Sequence, residues 1–197
     1  FPYTTLFRSQ KLGVDLMSIS SHKIHGPKGV GALYIRKGAR IVPLHYGGEQ
    51  ERKIRPGTES LPLICAFAEA VKALPNIDDQ HEKIEELWNY CKEKVLEIPN
   101  VYINSPDGVL PYILNISAVG VRSETMLHYL AESGIYVSSG SACAKGRKSH
   151  VLTAMGLSPE RIDSAIRISF SKFNTKDDID IFAEKLAEGM KNLAKSR

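Results

Sequence analysis

The sequence predicts a mixed α/β fold with an architectural break near its middle. Three observations support this prediction. Helical and strand patterns alternate through residues 77–197, which indicates a layered α/β or α+β arrangement. A strand–turn–strand pattern precedes them within residues 10–40. The chain of 197 residues can hold one large or two small domains, and Pro75-Asn76 marks the predicted boundary between segments 10–76 and 77–197.

Composition excludes several classes of protein. With 43% hydrophobic and 24% charged residues, the chain has the balance of an ordinary globular protein. Its net charge of +4 comes from 26 basic and 22 acidic residues, an excess too small and too scattered to indicate nucleic-acid binding. No apolar run approaches the roughly 20 residues of a membrane span. We therefore expect neither a nucleic-acid nor a membrane partner.

The three cysteines indicate a reducing compartment. Cys65, Cys91 and Cys143 are odd in number and far apart, which fits neither a disulfide framework nor zinc-ligand spacing. His22 and His25 are three residues apart but lack further ligands at suitable spacing. We therefore predict a cytoplasmic protein without a metal site.

Two strands and a helix are predicted in the first segment. Residues 1–9 join poorly to the following pattern and are interpreted as a sequencing or cloning scar. The runs 14–19 and 30–36 are typical of strands, and Gly and Pro break periodicity through 41–59. A helix is predicted from a Ser60 cap to Leu74, with Cys65 packed beside its apolar stripe.

In the second segment, each predicted element follows from its periodicity and its terminal residues. Ser123 and Thr175 are predicted N-caps, the latter paired with Asp178. The apolar stripes of the long helices predict the core, including Cys91. The predicted elements are helix 78–98, strands 101–104 and 113–117, a helix from 123, strand 135–137, helices 149–155 and 159–165, strand 166–170 and a final helix from 175.

Lys23 is the first candidate for chemistry because it lies on the tight link between the two N-terminal strands. A lysine amine can form a Schiff base when it is deprotonated. Ser20 and His22 could donate hydrogen bonds to a phosphate, and pyridoxal 5'-phosphate (PLP) needs both kinds of group. The local residues equally allow a surface lysine beside the Gly26-Pro27 turn.

Cys143 differs from the other cysteines because it lies in a small-residue loop, 138–143. The nearby cations Lys145, Arg147 and Lys148 would lower the pKa of its thiol. The alternative is a loop cysteine without a task.

Arg167 alternates with apolar residues in a predicted strand, which suggests a carboxylate site, because its planar fork can bind a carboxylate bidentately. An edge arginine facing water is the alternative. Thr58 follows Pro56-Gly57 on a turn, where a threonine usually only caps the backbone.

Taken in order, these motifs resemble the C-terminal half of a cysteine desulfurase of the NifS/IscS type, a class-V aminotransferase of PLP fold type I (aspartate aminotransferase-like). The resemblance runs from about residue 10 to the end. It rests on four separated sites, which are Ser20-Ser21-His22-Lys23 with Gly26-Pro27-Lys28-Gly29, Gly47-Gly48 through Thr58, Ser138 through Cys143, and Ser149 through Leu152 with Ile166 through Ser169.

The resemblance implies a role for each matching residue. Lys23 would form the Schiff base with PLP, and Ser20 and His22 would donate to its phosphate. Thr58 would reach the phosphate in the neighbouring subunit of a homodimer. Cys143 would be the nucleophile that becomes a persulfide, and Arg167 would hold the carboxylate of L-cysteine.

The resemblance also implies partners and limits. An Fe-S scaffold or a tRNA-thiolation enzyme would accept the sulfur, although only five residues separate Cys143 from Ser149, fewer than in well-known IscS-type loops. Segment 10–76 would be part of the large PLP-binding domain, and 77–197 would be a complete small domain. Because the family is about twice as long, the chain alone is expected to be inactive. A selenocysteine lyase, or a non-catalytic domain binding partners through the Cys143 loop, remain alternatives.

Overall fold

A computed structural model describes residues 12–139 and 149–193 of the chain. Residues 1–9, interpreted as a scar, lie outside the described residues. The Cys143 loop from Gly140 onward lies outside them as well. The fold divides into two compact units that meet at Pro75 and Asn76. We call them the first unit and the second unit.

The first unit is a β-hairpin followed by a helix. Strand β1 (Leu16–Ser20) pairs antiparallel with strand β2 (Gly31–Ile35), and Ser20 lies opposite Gly31. A 3₁₀ turn (Ser21–Ile24) follows β1 directly, and a second short turn at Gln50–Lys53 has Glu51 and Arg52 in the left-handed region. Helix α1 (Leu61–Lys72) completes the unit. The two predicted strands and the predicted helix are confirmed.

Apolar side chains of the first unit are largely exposed. Among its described residues only Ser21 is buried, and the predicted stripe of α1 begins with Leu61, which is 65% exposed. Cys65 is exposed as well, so its predicted packing is wrong. A two-stranded hairpin has too little area to cover a helix face of this length.

The second unit combines a three-stranded antiparallel sheet with helices. Its strand order is β3-β4-β5, with Ile116 of β4 opposite both Ile103 and Ile166. Its elements are α2 (Ile77–Leu96), β3 (Val101–Ile103), β4 (Ile113–Ala118), α3 (Ser123–Glu132), α4 (His150–Ala154), α5 (Pro159–Asp163), β5 (Ala165–Ser169) and α6 (Lys176–Asn192).

The two faces of this sheet differ in character because side chains alternate along each strand. One face is apolar and packs into the core with α2, α3 and α6, and its central residues Leu114, Ile116 and Ile166 are fully buried. The opposite face carries Asn115, Ser117 and Arg167 at the alternating positions. The predicted core stripe of α2 is confirmed, with Leu87, Trp88, Cys91, Val95 and Ile98 all buried.

Ion pairs on the surface connect α2 with α6. The Asp180 carboxylate accepts a hydrogen bond from the Tyr90 hydroxyl (2.8 Å) and pairs with Lys94 (3.1 Å). These two contacts lower the pKa of the Asp180 carboxyl, the Tyr90 hydrogen bond most strongly.

None of the helices within 12–139 and 149–193 combines the length and apolarity required to cross a bilayer.

Helix ends and one strand test the finer predictions. The capping box of α6 is confirmed, because the Thr175 hydroxyl accepts from the Asp178 N–H and the Asp178 carboxylate accepts from the Thr175 N–H. Ser123 is the first residue inside α3, whose N-cap is Arg122, so the predicted cap is wrong. The predicted strand 135–137 is also wrong, because only Ser138 exchanges hydrogen bonds with β5.

Thiol labelling at pH 8.5 should distinguish Cys91 from Cys65. Cys91 has no exposed area, and burial raises the pKa of its thiol to about 12. It should therefore stay protonated and unreactive in the folded protein, because the thiolate is the attacking form. Iodoacetamide followed by peptide mapping should show alkylation at exposed Cys65 and none at Cys91 until denaturant is added. Equal alkylation of both residues in the folded protein would contradict the described core.

Candidate active site

Lys23 lies on the 3₁₀ turn that leaves β1. Ser20 precedes this turn with extended backbone angles (φ −109°, ψ 124°), and its hydroxyl caps nothing. His25 ends the turn in the left-handed region (φ 64°), and the Gly26 N–H donates to the Ser21 carbonyl at 3.0 Å. The side chains of Ser20, His22 and Lys23 are exposed, and all three belong to this tight turn or to the residue that precedes it.

The Ser21–Gly26 contact holds the turn in shape. Ser21 is fully buried, and its N–H donates to the Val30 carbonyl at 3.2 Å. A Cβ added at Gly26 would meet the Ser21 hydroxyl and would lie 3.0 Å from the Ala70 Cβ on α1. Only glycine lets the turn approach α1 this closely. The sequence analysis did not identify this contact, although the two residues belong to the motif around Lys23.

The side chains on this turn are of the kinds that can bind the phosphate and the aldehyde of PLP. An exposed amine and two side chains capable of donating hydrogen bonds share one short turn. In the described part of the chain, neither the Ser20 hydroxyl nor the His22 imidazole has a hydrogen-bond partner. The buried Ser21 hydroxyl also has no partner among the described residues, but it lies directly against Gly26. The structure thus leaves the amine and both predicted donors available to a ligand.

Thr58 lies in the loop that precedes α1. Gly57, at φ 104°, donates its N–H to the Gln50 side-chain oxygen at 3.2 Å. Arg55 donates from its Nη1 to the Pro56 carbonyl at 3.0 Å. These contacts hold the loop internally and leave Thr58 exposed in the same unit as Lys23.

Arg167 lies in the second unit, on the polar face of the sheet. In β5 it stands opposite Asn115 of β4. On its other side it exchanges two backbone hydrogen bonds with Ser138, at 3.1 Å from the Ser138 N–H and 2.6 Å from the Arg167 N–H. Directly opposed residues of antiparallel strands project to the same face. Asn115 of β4, Arg167 of β5 and the bridged Ser138 therefore form a row across this face.

The guanidinium of Arg167 lacks a counter-charge among the described residues of its unit. The side chain is half-buried, and its Nε is fully buried without a hydrogen-bond partner. No carboxylate of residues 12–139 or 149–193 pairs with it. Because desolvated charges are costly unless they are paired, the site favours an anionic ligand such as a carboxylate.

A polar cluster that the sequence analysis missed lies next to this row. Arg161 of α5 donates from its Nη2 to the Ile103 carbonyl (2.7 Å) and to the Asn104 Oδ1 (2.5 Å). Asn104 donates from its Nδ2 to the Asn115 Oδ1 (2.8 Å) and to the Ser117 hydroxyl (2.7 Å). The alternation of Asn115 and Ser117 with apolar residues along β4 was the sequence signal that could have revealed it.

Cys143, the predicted nucleophile, lies outside the described residues. Ser138, the described residue bridged to Arg167, precedes it by five positions. Thus Ser20, His22 and Lys23 share a turn of the first unit, whereas Arg167 and Ser138 are joined in the second.

Comparison with known proteins identifies the family. The class-V aminotransferase family matches residues 6–182. The chain belongs to this family. It is 40% identical over 188 residues to cysteine desulfurase IscS of Methanosarcina thermophila, covering 93% of this chain and 46% of the relative. It spans about half the length of the curated relatives it matches.

Solved structures agree with this assignment. The NifS-like protein of Rickettsia africae matches with a TM-score of 0.81 and 35% identity, over 93% of this chain and 49% of that one. A structure of SspA in complex with cysteine matches with a TM-score of 0.64 and 32% identity, over 84% and 46%. The predicted fold class, part of a PLP fold type I enzyme, is confirmed.

Substitution of Gly26 by alanine should loosen the lysine turn. The added methyl group would force Ser21 or α1 to move, and overpacking of this kind costs about 1–3 kcal/mol. The Ser21 and Gly26 amides should therefore exchange faster with deuterium, as measured by mass spectrometry on peptides covering 16–35. Ala32→Ser, at an exposed position of β2, is the matched control and should leave exchange unchanged. Unaltered exchange in Gly26→Ala would show that the contact does not hold the turn.

Proposed function

We propose that the protein containing this chain is a PLP-dependent cysteine desulfurase that converts L-cysteine to L-alanine and leaves the sulfur as a persulfide on Cys143. The observation that carries this proposal is the pair of backbone hydrogen bonds between Ser138 and Arg167. They connect Ser138, at the start of the cysteine loop, to the strand of Arg167, whose Nε has no hydrogen-bond partner among the described residues. Five residues of chain span at most about 18 Å, which limits how far Cys143 lies from that strand.

The lysine turn would hold the cofactor. Lys23 would bond its aldehyde, and Ser20 and His22 would donate hydrogen bonds to its phosphate, as their uncommitted side chains permit. When bound, PLP supplies an electron sink for the α-carbon of an amino acid. The 40% identical relative from Methanosarcina thermophila is a cysteine desulfurase, which supports the same cofactor here.

Arg167 and Cys143 would act on the substrate itself. The Arg167 guanidinium would bind the carboxylate of L-cysteine, the amino acid bound in the SspA structure. The Cys143 thiolate would attack the substrate sulfur, so that a sulfur–sulfur bond forms while the carbon–sulfur bond breaks. The electron pair of the broken bond stays with the carbon fragment, which takes up a proton and leaves as alanine.

Assembly and delivery form the remaining part of the proposal. Residues 10–76 would belong to the large PLP-binding domain and 77–197 to the small domain. Exposed Thr58 would reach the cofactor phosphate of a second subunit in a homodimer. A reducing compartment such as the cytoplasm would keep Cys143 available, and an Fe-S scaffold or tRNA-thiolation enzyme would accept the persulfide sulfur.

Cys143→Ala should abolish sulfide release from L-cysteine in the intact protein with dithiothreitol present, because no other residue would accept the sulfur. PLP uptake, followed by absorbance, should be retained. Cys65→Ala removes an exposed thiol elsewhere and is the matched control, with activity expected within twofold of wild type. Sulfide and alanine production that survives in Cys143→Ala would disprove the proposed role of this thiol.

A further inference from the structure

The orientation of the Asn115 side chain follows from a chain of hydrogen bonds that begins at Arg161. A guanidinium can only donate hydrogen bonds, whereas a carboxamide has a donating and an accepting end. Arg161 donates from its Nη2 to Asn104, so the atom of Asn104 that receives this bond must be its oxygen. This assignment follows from chemistry and not from the similar shapes of the two amide ends.

The polarity set at Asn104 passes to Asn115. With its oxygen committed to Arg161, Asn104 turns its Nδ2 toward the Asn115 Oδ1 at 2.8 Å and the Ser117 hydroxyl at 2.7 Å. The Ser117 hydroxyl in turn donates to the Arg161 carbonyl at 2.7 Å, which closes the cluster. The acceptor end of Asn115 is therefore occupied on the β3 side, where Asn104 lies.

The donor end of Asn115 remains available on the side of Arg167. The Asn115 Nδ2 makes no hydrogen bond to any described residue. This nitrogen is also absent from the set of fully buried side-chain atoms without a partner, which among the described residues comprises the Ser21 hydroxyl and the Nε atoms of Arg161 and Arg167. The backbone of Asn115 is fixed, because its N–H donates to the Ser105 hydroxyl at 2.9 Å and its carbonyl accepts from the Asn104 N–H at 2.8 Å. Asn115 and Arg167 are opposed across β4 and β5.

We infer that Asn115 is a second donor to the substrate carboxylate, acting beside Arg167, and that Arg161 and Asn104 are positioning residues that direct its Nδ2 to this site. The inference rests on the proposed function for the identity of the substrate, L-cysteine. An ionised carboxylate has about four lone-pair sites on its two oxygens, so a bidentate guanidinium leaves acceptor sites that the Asn115 Nδ2 can fill. The site would thereby select amino acids with a free carboxylate.

Asn115→Leu and Asn115→Asp in the intact, PLP-loaded protein test this inference. Leucine removes the donor at similar size, whereas aspartate keeps the acceptor for Asn104 and places a negative charge beside the substrate carboxylate. We expect kcat/KM for L-cysteine to fall about 10- to 100-fold relative to L-cysteinamide, which has no carboxylate. Aspartate should give the larger loss. A purely structural role would lower the rates for both substrates together.

Two further variants separate positioning from folding. Arg161→Met keeps the length of the side chain but removes the donor that orients Asn104, so the same substrate ratio should fall several-fold. Ser169→Ala changes an exposed hydroxyl on the same face of β5 and should leave the ratio unchanged. An unchanged ratio in both Asn115 variants would overturn the inference, and an unchanged ratio in Arg161→Met would remove the positioning role.

A binding measurement distinguishes this inference from the proposed function. Calorimetric titration with L-alanine and L-alaninamide needs no turnover, and wild type should bind L-alanine more tightly. The Asn115 variants should lose most of that preference. If wild type makes no sulfide but the preference depends on Asn115, the desulfurase proposal fails and the carboxylate site stands. If the preference is absent or survives in both variants, the carboxylate site is disproved whatever the activity.

Discussion

The exchange of two backbone hydrogen bonds between Ser138 and Arg167 is the constraint on which the candidate site of the second unit depends. It adds one bridge to the outer edge of a three-stranded sheet, and so joins the approach to the cysteine loop to the arginine strand. Because the other face of that strand carries fully buried Ile166, the bridge is anchored to the core. A site on a packed sheet holds its geometry better than a site on loops.

The two units support their functional residues in different ways. In the second unit a continuous apolar core fixes β4 and β5, and polar side chains project from the opposite face. In the first unit the lysine turn is held by one buried serine and a close contact between Gly26 and α1. The position of Lys23 therefore depends on a few local contacts, whereas the position of Arg167 depends on a whole sheet.

Sequence patterns predicted those elements whose signals are local. The stripe of α2, the two strands flanking Lys23 and the capping box at Thr175 follow from local residue patterns, and the structure confirms them. The exposure of Cys65 could not be predicted in this way, because it depends on whether other parts of the chain cover α1. Strand pairing at 135–137 likewise depends on a distant partner, and only Ser138 finds one.

The residues of the candidate site divide in the same way into those with a local sequence signal and those without one. Lys23 and its donors were predicted because they are adjacent along the chain, and Arg167 because it interrupts an apolar strand. Asn104, Asn115 and Arg161 were missed because their association joins three segments up to 57 residues apart. Cross-strand register, which a single sequence does not provide, is what brings them together.

The use of a guanidinium at position 161 has a consequence for which side chains could replace it. Its Nη2 donates both to the Ile103 carbonyl and to the Asn104 Oδ1, and a guanidinium has no accepting end that could reverse the polarity of the cluster. A glutamine at this position could turn either end of its amide toward Asn104. The orientation of both carboxamides is therefore defined only while residue 161 is purely a donor.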